Sequence, residues 1–115
     1  MTRERAGALV VLSDSAFVGQ RRRIVDLAAR TKLPAIYYQR EFVDAGGLIS
    51  YGASLSDMFR RAATNVDKIL KGAQPGNLPI EQPTKFELAI NVKTAKALGL
   101  AIPQSVLLRA DEVIQ

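Results

Sequence analysis

The stretch LVVLSDSAFVGQRRRIVDLAARTKLPAIYY, Leu9 to Tyr38, decides the fold. Leu9 to Leu12 is an unbroken apolar run, the pattern of a strand buried on both faces and most often of a parallel one. Ser13 to Gly19 reads as a polar loop. Ile24, Val25, Leu27 and Ala28 then recur at helical spacing, which predicts a helix from Gln20 to Thr31. Pro34 to Tyr38 is a second short strand. Its proline stands at the first position, where a missing N–H matters least. Strand, helix and strand at this spacing make one parallel crossover unit, so the class is α/β.

Outward from that unit the same reading continues. Arg40 to Ala45 is a short turn or helix, broken by Gly46-Gly47. Leu48 to Gly52 is a third strand. Leu55 to Lys71 carries an apolar stripe of Leu55, Met58, Phe59, Ala62, Ala63, Val66, Ile69 and Leu70, which predicts a longer helix. Ser54 with Asp57 resembles a capping box, and Gly72 stops the helix. A polar connection holding Pro75, Pro79 and Pro83 follows. Phe86 to Ile90 alternates as a half-exposed strand. Asn91 caps a short helix ending at Gly99, and Val106, Leu107, Ala110, Val113 and Ile114 predict a last helix after Pro103. Tyr37 and Tyr38 point in opposite directions, one to the core and one half-exposed. Phe59 and Phe86 are expected in the core. The strands are few and apolar on both faces, so the unit is expected to need further strands.

Composition removes most chemistries. The chain has 115 residues, 48% of them hydrophobic, with a net charge of +5, no cysteine and no histidine. That suits one small globular unit. It excludes disulfides, thiolate chemistry, the common zinc sites and histidine-based triads. No cofactor is called for. No apolar run reaches the roughly 20 residues of a membrane span, and the first residues carry no signal-peptide pattern. Basic residues are scattered, apart from Arg21-Arg22-Arg23, which reads as a solvated helix start, so nucleic acid is not expected as a partner. Neither a Gly-x-x-x-x-Gly-Lys-Ser/Thr loop nor Gly-x-Gly-x-x-Gly occurs. No spacing singles out a Ser–Lys pair. Glu41 and Asp44 share at most a solvated turn. An enzyme is not expected.

Ligands of open α/β sheets sit at the carboxyl ends of strands. Ser13, Asp14, Ser15 and Phe17 occupy one such end, and Tyr51 another. Asp14 can accept charge-assisted hydrogen bonds from a ligand ammonium, the two serines offer neutral donors and acceptors, and Phe17 and Tyr51 offer apolar walls. The bland alternative is that Ser-Asp-Ser only caps the following helix.

Four stretches, "LVVLSDSAF", "RIVDLAARTKLPAIYYQREFVDAGGLISYG", "DKILKGAQPGNLPIEQPTKFELAINVKTAKALGL" and "IPQSVLLRADEVI", together resemble the C-terminal part of uncharacterised ABC-transporter substrate-binding proteins, the family that includes tryptophan- and tyrosine-binding lipoproteins. The segment from Pro79 to Leu100 is the most specific. The resemblance implies a two-lobed, type I periplasmic-binding-protein-like fold, a sandwich built on parallel sheets. A small ligand would lie between the lobes, and an ABC permease would be the partner. Family members are considerably longer, so the chain is expected to be a C-terminal portion, with any lipoprotein signal in the missing part and an extracytoplasmic location for the whole. On that frame residues 7–50 form a second-lobe strand–helix–strand unit, 51–84 a crossing and a first-lobe helix, and 85–115 a return crossing with C-terminal helices. In amino-acid-binding members the loop matching Ser13-Asp14-Ser15 resembles Thr-Asp-Asn, whose aspartate grips the ligand amino group. Asp14 matches that acid and Ser15 departs from the asparagine. Other members carry Pro-Phe-Phe after Ser-Asp, of which only Phe17 is kept. Alternatives are an effector-sensing domain of a regulator or receptor, or a non-binding portion that forms a homodimer by swapping elements.

Overall fold

The computed structural model describes residues 6–115. Its strands are β1 (Leu9–Val10), β2 (Ala35–Tyr37), β3 (Ile49–Ala53), β4 (Phe86–Asn91) and β5 (Glu112–Ile114). Its helices are α1 (Ser15–Gly19), α2 (Arg21–Arg30), α3 (Arg40–Asp44), α4 (Leu55–Leu70), α5 (Val92–Ala97) and α6 (Gln104–Leu107). The strands form one sheet in chain order. β1, β2 and β3 run parallel, β4 runs antiparallel to β3, and β5 is parallel to β4. The sheet is therefore mixed, not the parallel sheet expected. β4 re-enters the sheet at the end where β3 leaves it, Phe86 opposite Ala53, so it runs antiparallel, whereas the other connections cross over to the far end before the next strand starts.

One face of the sheet is covered. Val25 and Ala28 of α2 and Phe42 of α3 close over Val11, Ala35 and Tyr37. The Tyr37 and Phe42 rings stack with centroids 4.9 Å apart, and Phe42 is fully buried. Tyr37 is the inward tyrosine and Tyr38 the half-buried one, as strand alternation requires. Burial raises the Tyr37 hydroxyl above its ordinary pKa, because desolvation disfavours the phenolate. Gly46 takes a left-handed φ of 111° at the turn into β3.

The opposite face is open over β1 and β2 and at the Tyr51–Phe86 end, while Ile90 on that side is fully buried. Val10 and Ile36 are side by side in the β1–β2 register and 65% and 36% exposed. Tyr51 and Phe86, in phase with them along β3 and β4, are also exposed. The first strand is thus buried on one face only, and Leu12 beyond it is exposed as well. α4 forms where its stripe predicts, with the Ser54 hydroxyl accepting from the Asp57 N–H at 3.2 Å, yet none of its residues is buried. Phe59 lies on its uncovered stripe, so neither Phe59 nor Phe86 is a core residue here. The radius of gyration is 17.5 Å, against about 13 Å for a compact domain of this length. The accessible surface is 8339 Å², against about 6,200 Å² for a compact monomer of this mass.

Two segments differ from the expected secondary structure. Residues 13–19 are not a loop throughout: α1 begins at Ser15. The expected last helix is only α6, and Val113 and Ile114 belong to β5. Asp111 makes the difference. Its N–H donates to the Leu88 carbonyl, and its carboxylate accepts from the Leu88 N–H, both at 2.8 Å. This docks the chain on β4, and the β-branched residues that follow extend the pairing.

Candidate functional site

The carboxyl ends of β1, β2 and β3 lie at one end of the sheet, since these strands are parallel. Asp14 sits there in extended conformation as the N-cap of α1. One carboxylate oxygen accepts from the Ala16 N–H at 2.8 Å. The other has no hydrogen bond among the described residues. Its backbone carbonyl accepts from the Tyr38 hydroxyl at 2.8 Å. That bond ties the loop after β1 to the end of β2 and fixes where the carboxylate points. The capping role and a ligand role are therefore compatible, because they use different oxygens.

Ser13, Asp14 and Ser15 are exposed, and Phe17 is 41% exposed. These four form one continuous rim. Tyr51 is at the same end of the sheet but one strand further, because β2 separates β1 from β3. Its ring stacks on Phe86, centroids 6.0 Å apart at 17°. The aromatic wall is thus a pair on adjacent strands, and both rings are about half exposed. Tyr38 and Phe86 were missed by reading residues singly. The adjacent Tyr37-Tyr38 at a strand end, and the phase of Phe86 with Leu88 and Ile90, are the signals that carried them.

A cavity of about 520 Å³ lies elsewhere, at the opposite end of the sheet beyond β4, between Val92, Lys93, Lys96, Gln104, Leu107 and Val113. The rim of Ser13, Asp14, Ser15 and Phe17 is an open surface with one wall. Among the described residues no cluster of acidic side chains could hold a metal ion, and no helix is long and apolar enough to cross a membrane.

Solved structures with this architecture carry the comparison further. A conserved domain protein from Vibrio cholerae superposes with a TM-score of 0.88 at 27% identity, covering 96% of this chain and 37% of that one. The ABC domain from Streptococcus pneumoniae in complex with L-Trp gives 0.87 at 28% identity, covering 98% and 39%. The ligand-free, open structure of a substrate binding protein with adhesive properties from Clostridium difficile gives 0.62 at 20% identity, covering 94% and 36%, a likeness of fold alone. This chain spans well under half the length of each. No curated protein matches the sequence. The model of the ABC transporter substrate binding protein family matches residues 1–114, so the chain belongs to that family, one of binding proteins rather than enzymes.

Proposed function

We propose that this chain is the C-terminal portion of a two-lobed solute-binding protein that delivers a small, amino-acid-like ligand to an ABC permease outside the cytoplasm. The observation that carries the reading is Asp14. Its carboxylate stands at the sheet's carboxyl end with one oxygen held by the α1 cap and the other unpaired among the described residues. An ammonium group would complete it. Ser13 and Ser15 would add neutral contacts, and Phe17 and Tyr51 apolar walls. The relative holding L-Trp supports an amino-acid class of ligand.

The exposed surface supports the division into lobes. The excess over a compact monomer is roughly 2,000 Å², more than one partner contributes to a standard interface. Exposed apolar side chains recur on the open sheet face, as Val10, Ile36, Tyr51 and Phe86, and along α4, as Phe59, Val66, Ile69 and Leu70. On this reading residues 7–50 belong to the second lobe, residues 51–84 cross to the first lobe with α4, and residues 85–115 return. Further polypeptide would cover the open face. The same apolar surface favours a second behaviour for the chain by itself, a homodimer formed by exchanging elements.

Mass spectrometry of small molecules released from the denatured two-lobed protein tests the main reading. An amine-bearing solute at near-equimolar yield is expected. Calorimetry that detects no binding of any amino acid, with no released solute, would reject it. Light scattering of the 115-residue chain tests self-association, and a monomer at all concentrations rejects the dimer.

A further inference from the structure

We infer that Arg61 is a positioning residue, a clamp that makes α4 and the returning chain ahead of β4 move as one body and so confines the hinge of solute capture to a short two-strand segment. The inference rests on the two-lobed reading for its functional meaning and on the local geometry for its substance.

β3 leads straight into α4, and β4 begins right beside the exit point. Ala53 pairs with Phe86, and the next residue, Ser54, donates its N–H to the Lys85 carbonyl at 2.9 Å. The outgoing and returning chains therefore leave the sheet together. α4 buries none of its residues, so packing does not fix its direction relative to the sheet. What fixes it is a polar knot one turn along the helix. The Arg61 Nε donates to the Asp57 carboxylate at 3.1 Å, one terminal nitrogen reaches Glu81 at 3.4 Å, and the other donates to the Thr84 hydroxyl. One planar guanidinium thus joins α4 to two points of the return connection, a geometry that a lysine point charge cannot copy. Asp57 is well shielded, with 15% of its side chain exposed. Such a multidentate network holds its geometry better than an isolated surface pair.

The connection is already stiff. Pro79 and Pro83 flank Glu81, and Pro83 directly precedes Thr84, each fixing its own φ. Pinning Glu81 and Thr84 to the helix therefore immobilises the approach to β4. On the sheet side, Gly52 is held against β2: a Cβ there would lie 2.0 Å from the Tyr38 carbonyl oxygen. Between this tight contact and the clamp remain Ala53 and its partner Phe86. Hinges are a few residues that absorb the backbone change, and this is the segment left free to do so. Arg61 touches none of Ser13, Asp14, Ser15, Phe17 or Tyr51, so its effect is one of orientation.

The absence of cysteine makes a direct test clean. Spin labels at Asp26→Cys on α2 and Lys68→Cys on α4 report the distance between sheet layer and helix by pulsed electron resonance, with circular dichroism as the folding control. The parent should give a narrow distribution and Arg61→Ala one at least twice as wide, with Arg61→Lys in between. The double variant Glu81→Gln/Thr84→Val should broaden it too, although it leaves the Arg61–Asp57 pair within the helix intact. If only Arg61→Ala broadens the distribution, Arg61 merely supports the helix and the clamp is refuted. Equal widths in all variants refute it as well. No ligand enters this measurement, so a failure of solute binding would overturn the functional reading and leave this result standing.

Discussion

Replacing Asp14 separates its capping role from the proposed ligand role. Asparagine keeps an oxygen for the Ala16 N–H and is as good an N-cap as aspartate; it removes only the charge. Alanine removes both. The cap is worth about 1 kcal/mol, which for a chain of this length lowers the melting temperature by about 4 °C. The charge-assisted bond to a ligand ammonium is worth about 1.5–3 kcal/mol, or roughly ten- to 150-fold in affinity. Asp14→Asn should therefore melt like the parent and bind the amine-bearing solute released from the parent at least tenfold more weakly. Asp14→Ala should lose both. Calorimetry of the two-lobed protein and thermal unfolding of the chain give the two readouts. If Asp14→Asn binds as tightly as the parent, the carboxylate is not the ammonium anchor. If it melts several degrees lower, the division of labour between the two oxygens is wrong.

Gly52→Ala should be severely destabilising, by about 3 kcal/mol, because the new methyl would meet the Tyr38 carbonyl oxygen at 2.0 Å and only backbone can give way; a denaturant midpoint unchanged from the parent would refute the close approach. Tyr37 adds an alkaline limit. Its hydroxyl is raised above 10.0 by burial, so the folded state holds that proton more tightly than the unfolded chain. The contribution is complete below pH 10.0 and is lost as pH rises through the folded value. Urea midpoints measured from pH 8 upward should fall more steeply for the parent than for Tyr37→Phe, and parallel curves would count against the burial account.

Local pattern carried most of the elements. The apolar runs at Leu9, Ala35 and Ile49, the helical spacing in α2 and α4, and the caps Ser54 and Asn91 are short-range signals, and they stand where periodicity put them. What local pattern could not carry was pairing. Val113 and Ile114 fit a helical stripe as well as a strand, and only the bond between Asp111 and Leu88, far apart in sequence, selects the strand. The direction of β4 is equally non-local. Phe59 and Phe86 failed as core residues for another reason: a stripe says that a face seeks cover, not that the same chain supplies it. At the site, Asp14 was legible as an acid at a strand end. The Tyr38 hydroxyl that sets its loop, and the ring of Phe86 beneath Tyr51, became visible only once the strands were laid side by side.

The pairing of Ala53 with Phe86, and of the Ser54 N–H with the Lys85 carbonyl, makes β3 and β4 the arms of a hairpin whose loop has grown into a helix and its return. Geometrically nothing in the sheet needs that excursion. A two-residue Asn-Gly turn, whose twist suits antiparallel arms, should replace residues 55–84 and leave the β3–β4 register intact. The product would be a miniature of the sheet with a shorter closure and far less exposed apolar surface, and amide protection along Phe86–Asn91 would report whether the sheet survives. Seen this way, the sheet is a modular scaffold, and residues 55–84 are an insertion at one hairpin tip.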